Sequence, residues 1–361
     1  MKKTKYQLIA DEIRKKILDG NYKLNTVIPS ELQLQKTYDV SRHTVREAIG
    51  VLTNEGYLRK EKGSGTYVAD TYKKEEVTSN KTKTIGVMTT YLSDYIFPSI
   101  IRGIEGQLRK EGYSLLLSST SNNHAQEREC LEKMLHNGVD GIIVEPTKSN
   151  QHNPNLDLYV AIKEQGLPLV MINAVYEELE MASICVDDVQ SGFMAADALF
   201  KQGHQHLLFI TKIDDLQGKY RMKGFVKACE QHEKTFDAGD IITYTTETKD
   251  KLVAKVRQRL KEANHLSGIV CYNDEIANTI YLEIIAAGYS IPEDYSIIGN
   301  DHSPIGLASA LKLSTIEHPK EKLGIDAADW IIQTIQTNKE QPSIVYAPKL
   351  VLGETIKNLT I

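Results

Sequence analysis

Apolar positions change their period twice along this chain. In residues 30–52 they recur at helical spacing: Leu32, Leu34 and Tyr38 follow Pro29-Ser30-Glu31, and Val45, Ala48, Ile49 and Leu52 follow Ser41. Serine is a favoured helix-capping residue, so the pattern predicts two short helices joined by a tight turn at Asp39-Val40. Glu55-Gly56-Tyr57-Leu58 and residues 62–68 then bring strand-forming side chains around a glycine-rich tip, which predicts a two-stranded wing. Residues 71–83 are polar, charged and aperiodic, and predict a flexible linker.

From residue 84 onward the pattern becomes short apolar runs, at 85–88, 115–117, 141–144, 169–172, 207–210, 268–271 and 296–298. Between them lie amphipathic stretches such as 97–110, 126–136, 189–201 and 275–287. Continuous apolar runs suit strands covered on both faces, so a doubly wound α/β arrangement of parallel sheets is expected. The number of βα units predicts two subdomains, 84–185 with 318–346 and 186–317 with 347–361, behind a small domain at 1–70 and the linker at 71–83. The cleft between the subdomains is the expected ligand site.

Charge divides the chain at the same place. Residues 1–70 hold 13 Lys and Arg against 9 Asp and Glu, a net +4; the whole chain of 361 residues carries −5, so the remainder carries −9. A basic small domain suits phosphate contacts, and an acidic partner discourages indiscriminate coating of nucleic acid. The basic start runs into charged residues without a signal-peptide core, and no apolar run reaches membrane-spanning length, so a cytoplasmic protein with no membrane partner is expected. Cys130, Cys185, Cys229 and Cys271 form no C-x-x-C pair, and His204-Gln205-His206 has no nearby acidic or cysteine partner. Neither a metal nor a cofactor is expected.

Arg42 and Arg46, four apart behind Ser41, fall on one helix face, where a guanidinium can donate bidentately to guanine. The plainer alternative is a solvated surface stripe. The ordered run P-S-E-x-x-L, V-S-R-x-T-V-R-x-A-I-x-x-L, E-G-Y-L and G-S-G-T-Y-V resembles the GntR-type winged helix-turn-helix over about the first seventy residues. The resemblance implies an N-terminal α+β domain on double-stranded operator DNA. Ser30 and Glu31 would place the motif on the backbone, Arg42 and Arg46 would touch bases, and Gly65 would let the wing enter the minor groove. His43 would contact phosphate or base, and Ser41, Thr44 and Lys62 complete the DNA-binding set.

The remainder resembles the effector-binding core of LacI/GalR-type regulators, related to periplasmic sugar-binding proteins. The likeness rests on Ile85-Gly86-Val87, residues 139–144, Val186-Asp187-Asp188, residues 221–225, residues 272–277, residues 297–301 and residues 314–319. It implies a C-terminal α/β periplasmic-binding-protein-like core of two doubly wound parallel-sheet subdomains, a homodimer, and Phe97, Asn173, Arg221, Asn273, Asp301 and His318 as effector contacts. The residues themselves add Tyr95, Glu145 and Lys148: polar groups past strand ends can satisfy sugar hydroxyls, and Tyr95 and Phe97 can cover a sugar ring. Each has a plainer alternative, since Asn273 or Asp274 can cap a helix, Arg221 can pair with an acid, and the aromatics can pack in a core.

The joining of a GntR-type reader to a LacI-type core, with residues 89–105 and 144–149, resembles the arabinose-responsive repressors, which implies L-arabinose as the effector. No LacI-type hinge helix is evident in residues 71–83. Two rivals stand: a regulator of the same build for another sugar or a purine, and a sugar-converting enzyme using Glu145, Asp187, Asp274 and Asp301 as acid and base. The winged domain speaks against catalysis, and no nucleophile elbow, metal motif or dinucleotide fingerprint is present.

Overall fold

The structure is a computed structural model that describes residues 4–61, 64–69, 82–93, 95–263, 265–304 and 312–360. Lys62 and most of the expected linker lie outside the described residues. The chain divides into two units, Met1–Asn80 and Lys81–Ile361. Among the described residues no helix is long and apolar enough to cross a membrane.

In the first unit, α1 (Lys5–Leu18), α2 (Glu31–Tyr38) and α3 (Arg42–Asn54) precede an antiparallel hairpin of β1 (Leu58–Glu61) and β2 (Gly65–Val68). Ser30 starts α2 with a capping box: its hydroxyl accepts from Gln33 N at 3.3 Å, and Ser30 N donates to the Gln33 side chain at 2.8 Å. Asp39, left-handed at φ +47°, ends α2, and the Ser41 hydroxyl opens α3 by accepting from Thr44 N at 3.2 Å. Val45, Ala48, Ile49 and Leu52 of α3 are buried with Ile9, Ile13 and Ile17 of α1, Leu34 of α2, and Leu58 and Val68 of the hairpin. This one-sided core leaves the opposite face of α3 in solvent.

The second unit holds two six-stranded sheets. The first contains β3 (Thr84–Thr89), β4 (Ser114–Ser119), β5 (Gly141–Val144), β6 (Leu169–Ile172), β7 (Ser183–Val186) and β13 (Ile344–Tyr346), in the order β13-β7-β6-β5-β3-β4 and all parallel. The second contains β8 (Leu207–Lys212), β9 (Ile241–Tyr244), β10 (Gly268–Cys271), β11 (Ser296–Asp301), β12 (Ser314–Glu317) and β14 (Lys349–Val351), in the order β14-β12-β11-β10-β8-β9. All seven expected strands are present, and β7, β9, β12, β13 and β14 are additional. Purely parallel sheets are expected, but β14 runs antiparallel to β12. The chain leaves β13 at the carboxyl end of the first sheet and within a few residues reaches Lys349, opposite Glu317 at the carboxyl end of β12, so β14 runs back along β12.

The chain crosses between subdomains after β7, after β12 and after β13. Each subdomain is backed by a helix pair in near backbone contact. A Cβ on Gly103 of α4 (Phe97–Lys110) would lie 2.3 Å from the Glu321 carbonyl oxygen of α11 (Lys320–Thr337). A Cβ on Gly192 of α7 (Asp188–Lys201) would lie 2.0 Å from the Arg221 carbonyl oxygen of α8 (Leu216–Gln231), and one on Gly224 would lie 2.0 Å from that of Val189. Glycine is what permits α8 to lie this close to α7, and the packing fixes the height at which Arg221 enters the cleft.

Candidate functional site

The exposed face of α3 carries Arg42 and Arg46, which are 64% and 56% exposed. Glu31, the first residue of α2, braces both: Arg42 Nε donates to it at 3.0 Å, and Arg46 Nε at 3.0 and 3.2 Å. Burial opposes ionisation of Glu31, yet the two guanidinium groups hold it below the usual glutamate value. Both arginines use Nε, so among the described residues their Nη1 and Nη2 ends have no partner. A bidentate contact to guanine needs two such donors.

Ser30, Ser41 and Thr44 are committed to helix starts, with Ser41 Oγ 2.9 Å from Thr44 Oγ1, while His43 is exposed beside Glu47 at 3.7 Å. Gly65 has φ +129°, and a Cβ there would meet Val27 Cγ2 at 2.9 Å, so the start of β2 admits no side chain without strain. The sequence does not announce Glu31 as the brace. That role depends on the turn bringing α2 over the start of α3.

Within the second unit, a cavity of about 260 Å³ lies between the two sheets' carboxyl ends and is lined from both subdomains. Arg221 is its central cation. Nε donates to Asp188 Oδ1 at 2.8 Å, Nη1 to the Tyr272 carbonyl at 2.6 Å, and Nη2 to Asp301 Oδ1 at 3.3 Å. Burial raises the Asp188 carboxyl to about 6, with Arg221 opposing; burial also opposes ionisation of Asp301, but Arg221 holds it below the usual aspartate value. The plainer reading of Arg221 as an ion-pair partner is therefore present together with its place in the wall.

The other subdomain supplies Glu145, which accepts from Thr90 N at 2.8 Å, Thr90 Oγ1 at 2.6 Å and Asn173 Nδ2 at 2.8 Å. Burial raises its carboxyl. The Asn173 oxygen faces His318 Nε2 at 3.1 Å. Burial lowers His318 to about 4, so its ring is neutral at pH 7. Nε2 must then carry the proton toward Asn173, which leaves Nδ1, buried and without a hydrogen-bond partner among the described residues, as an acceptor.

Phe97 forms an apolar wall with Tyr91, ring centroids 5.9 Å apart. Tyr95 also lines the cavity but acts differently from the expected ring platform. Its hydroxyl donates to Asp301 Oδ2 at 2.7 Å and accepts from Asp274 N at 3.1 Å, so it bridges the subdomains. Asn273 lines the cavity and also caps α10 (Asp274–Ala286) by accepting from Ile276 N at 2.9 Å.

Lys148 differs from expectation in place. It is not among the residues that line the cavity, and its ammonium pairs with Glu247 of the other subdomain. The turn at Lys148, with φ +42°, carries the side chain past the cavity to this closing contact.

Sequence reasoning missed Lys212 and Asp215, paired at 2.6 Å in the wall, with the Tyr272 hydroxyl 3.1 Å from Asp215. Lys212 ends a strand, the one signal that marked it. Of the four carboxylates considered for catalysis, Glu145 and Asp301 line the cavity, whereas Asp187 caps α7 and Asp274 accepts from Ser303 N and Thr315 Oγ1, and neither of these two lines it. One three-residue cluster of possible metal ligands, Asp237, Asp240 and His265, occurs among the described residues, and Arg259 already bonds Asp240 at 2.8 Å.

Burial and the nearby Asp301 carboxylate raise Asp274 to about 7. The fold thus favours the neutral acid, a stabilisation complete below the ordinary aspartate range and lost as pH rises through about 7. Asp274→Asn, uncharged at every pH, is expected to gain melting temperature relative to the parent as pH is raised from 5 to 8. Thermal melts across that range check it, and a constant difference would show that Asp274 ionises freely.

Residues 5–68 match the bacterial regulatory proteins of the gntR family, and residues 196–356 match the periplasmic binding protein-like domain. The arabinose metabolism transcriptional repressor of Halalkalibacterium halodurans is 45% identical over 358 residues, 97% of this chain and 96% of that protein. The repressor of the same name from Geobacillus stearothermophilus is 41% identical over 98% of each. A LacI transcriptional regulator from Alkaliphilus metalliredigens, solved with D-xylulofuranose, superposes with a TM-score of 0.66 at 26% identity, over 76% of this chain and 99% of that one. With a gntR-type reader, a periplasmic-binding-type core and full-length likeness of this degree, the chain belongs to the family of arabinose metabolism transcriptional repressors.

Proposed function

We propose that the cavity of the second unit binds free L-arabinose, and that this binding releases a homodimer of the chain from operator DNA. The observation that carries the reading is the composition of the wall. Buried acceptors and donors from both subdomains, Glu145, Asn173, Arg221, Asp301 and a His318 Nδ1 without a partner among the described residues, surround a space bounded by Phe97. Sugar hydroxyls both donate and accept, so one ring can engage all of these groups, while its C–H face lies on Phe97.

At about 260 Å³ the cavity is at or below the ~300–1,000 Å³ range of small-molecule pockets, which favours a monosaccharide. Glu145, Asp188, Asp215, Glu275 and Asp301 in the wall outnumber Lys212, Arg221 and Lys249, a balance unsuited to a sugar phosphate. The full-length relatives carry arabinose metabolism in their names, which supports arabinose as the member of this class.

A ligand held from both subdomains favours their closed arrangement. If operator binding favours the other arrangement, sugar and DNA oppose each other by linkage, and the effect is reciprocal. Titration calorimetry of L-arabinose with and without saturating operator is expected to give a weaker sugar affinity on DNA, by the same factor that sugar lowers operator affinity. Equal sugar affinity in both titrations would falsify the coupling. A thermal-shift series of pentoses, hexoses, sugar phosphates and purines tests the ligand class, since only a native-state ligand raises the melting temperature.

A further inference from the structure

Lys320 is the first residue of α11, where the positive end of the helix dipole disfavours a cation. Its side chain turns back along the helix, and its ammonium donates to three main-chain carbonyls: Asp301 at 2.5 Å, His302 at 2.9 Å and His318 at 3.1 Å. These acceptors use all three ammonium protons. Among the described residues no carboxylate lies within ion-pair distance of it, so its direct bonds all go to carbonyl oxygens. Burial lowers its basicity, opposed by Asp301, Asp274 and Glu317.

Two of the three carbonyls belong to residues whose side chains line the cavity, although Lys320 does not line it. Asp301 and His302 are consecutive non-glycine residues in left-handed backbone, at φ +96° and +45°. Such a turn persists only where its surroundings hold it. His318 lies just beyond β12, where the chain leaves the second sheet for α11, which packs on α4 behind the first sheet. The ammonium therefore ties the turn carrying the Asp301 carboxylate to the crossing that carries the His318 ring.

We infer that Lys320 is a positioning residue of the sugar cleft, fixing Asp301 and His318 at the separation that the ligand spans. The inference rests on the sugar reading above. Displacement of either group by a fraction of an ångström costs hydrogen bonds to the ligand, because both groups are buried and cannot recover them from water.

The experiment is calorimetry of L-arabinose on the full chain, comparing the parent, Lys320→Met, His318→Ala and the double variant. Lys320→Met is expected to weaken sugar binding by about tenfold or more, with operator affinity in the absence of sugar unchanged. Because Lys320 acts through His318 and Asp301, the double variant is expected to bind more tightly than the product of the two single losses. Strictly multiplicative losses would mean that Lys320 merely supports the fold, and they overturn the inference, as does parental affinity in Lys320→Met. Should Lys320→Met not fold, Lys320→Gln, which keeps one donor group, is expected to lose about threefold or more with the same non-additivity, and parental affinity in it overturns the inference. A parent that binds no arabinose overturns the sugar reading itself, and this inference with it.

Discussion

Arg221→Met is expected to abolish the sugar response while leaving operator binding intact. Methionine keeps the side chain's length and apolar stem but removes the three bonds that tie α8 to Asp188, Asp301 and the Tyr272 carbonyl. Two buried carboxylates then face each other without their cation. Breaking a buried pair from one side costs about 3–5 kcal/mol, much of it from the charge left behind. The loss has two separable parts. Stability of the core falls, as a thermal melt reports, and the carboxyls of Asp188 and Asp301 both rise because their common partner is gone. Sugar affinity falls by about a hundredfold or more, since a donor is lost and the remaining acceptors are repelled or protonated. Adding Asp188→Asn to Arg221→Met removes one of the stranded charges. The double variant is expected to regain stability but not sugar binding, and recovery of both would show that Arg221 serves the fold alone.

Arg46→Ala is the second large effect, at the other end of the chain. Loss of a bidentate guanine contact is expected to reduce discrimination between operator and unrelated duplex by about 1–3 kcal/mol. Binding at several salt concentrations separates base from phosphate. A phosphate contact contributes about 0.9 to the slope of log affinity against log salt, so a base reader lost at position 46 leaves that slope nearly unchanged. Glu31→Gln is expected to produce a smaller loss of discrimination, because it removes the charge that holds both Nε atoms while leaving the arginines in place. Undiminished selectivity in Arg46→Ala would remove it from the base-reading set. In neither variant is sugar affinity expected to change, since the substituted residues lie in the first unit and the cavity in the second.

The elements legible in the sequence were those whose stability is local. Ser30 and Ser41 announced the starts of α2 and α3 because capping uses bonds within three residues. The buried runs of β5, β6 and β10 announced themselves by composition, every residue being apolar or glycine and all of them buried. β9, β13 and β14 escaped because they lie at sheet edges with alternating or partial burial. β7 has the same weak alternation, and β12, Ser-Thr-Ile-Glu, is buried but polar. The site followed the same division. Arg221, Asn173, Asp301 and His318, singled out through the motifs they sit in, all line the cavity, whereas the cation–carboxylate pairing of Lys212 with Asp215 depends on strand and helix ends that meet only in space. Tyr95 lines the cavity, but the bonds of its hydroxyl to Asp301 and Asp274 N were not legible, because they depend on what the opposite subdomain brings to it.

Gly192 and Gly224 hold α8 against α7 with no side chain between them, and the carbonyl nearest to Gly192 is that of Arg221 itself. A methyl group at Gly192 would push α8 outward and withdraw the guanidinium from both carboxylates at once, although residue 192 touches no ligand. A genetic selection for repressors that stay on DNA in the presence of sugar would therefore return glycines as well as cleft residues. Such variants would be blind to inducer with every ligand-contacting side chain still in place.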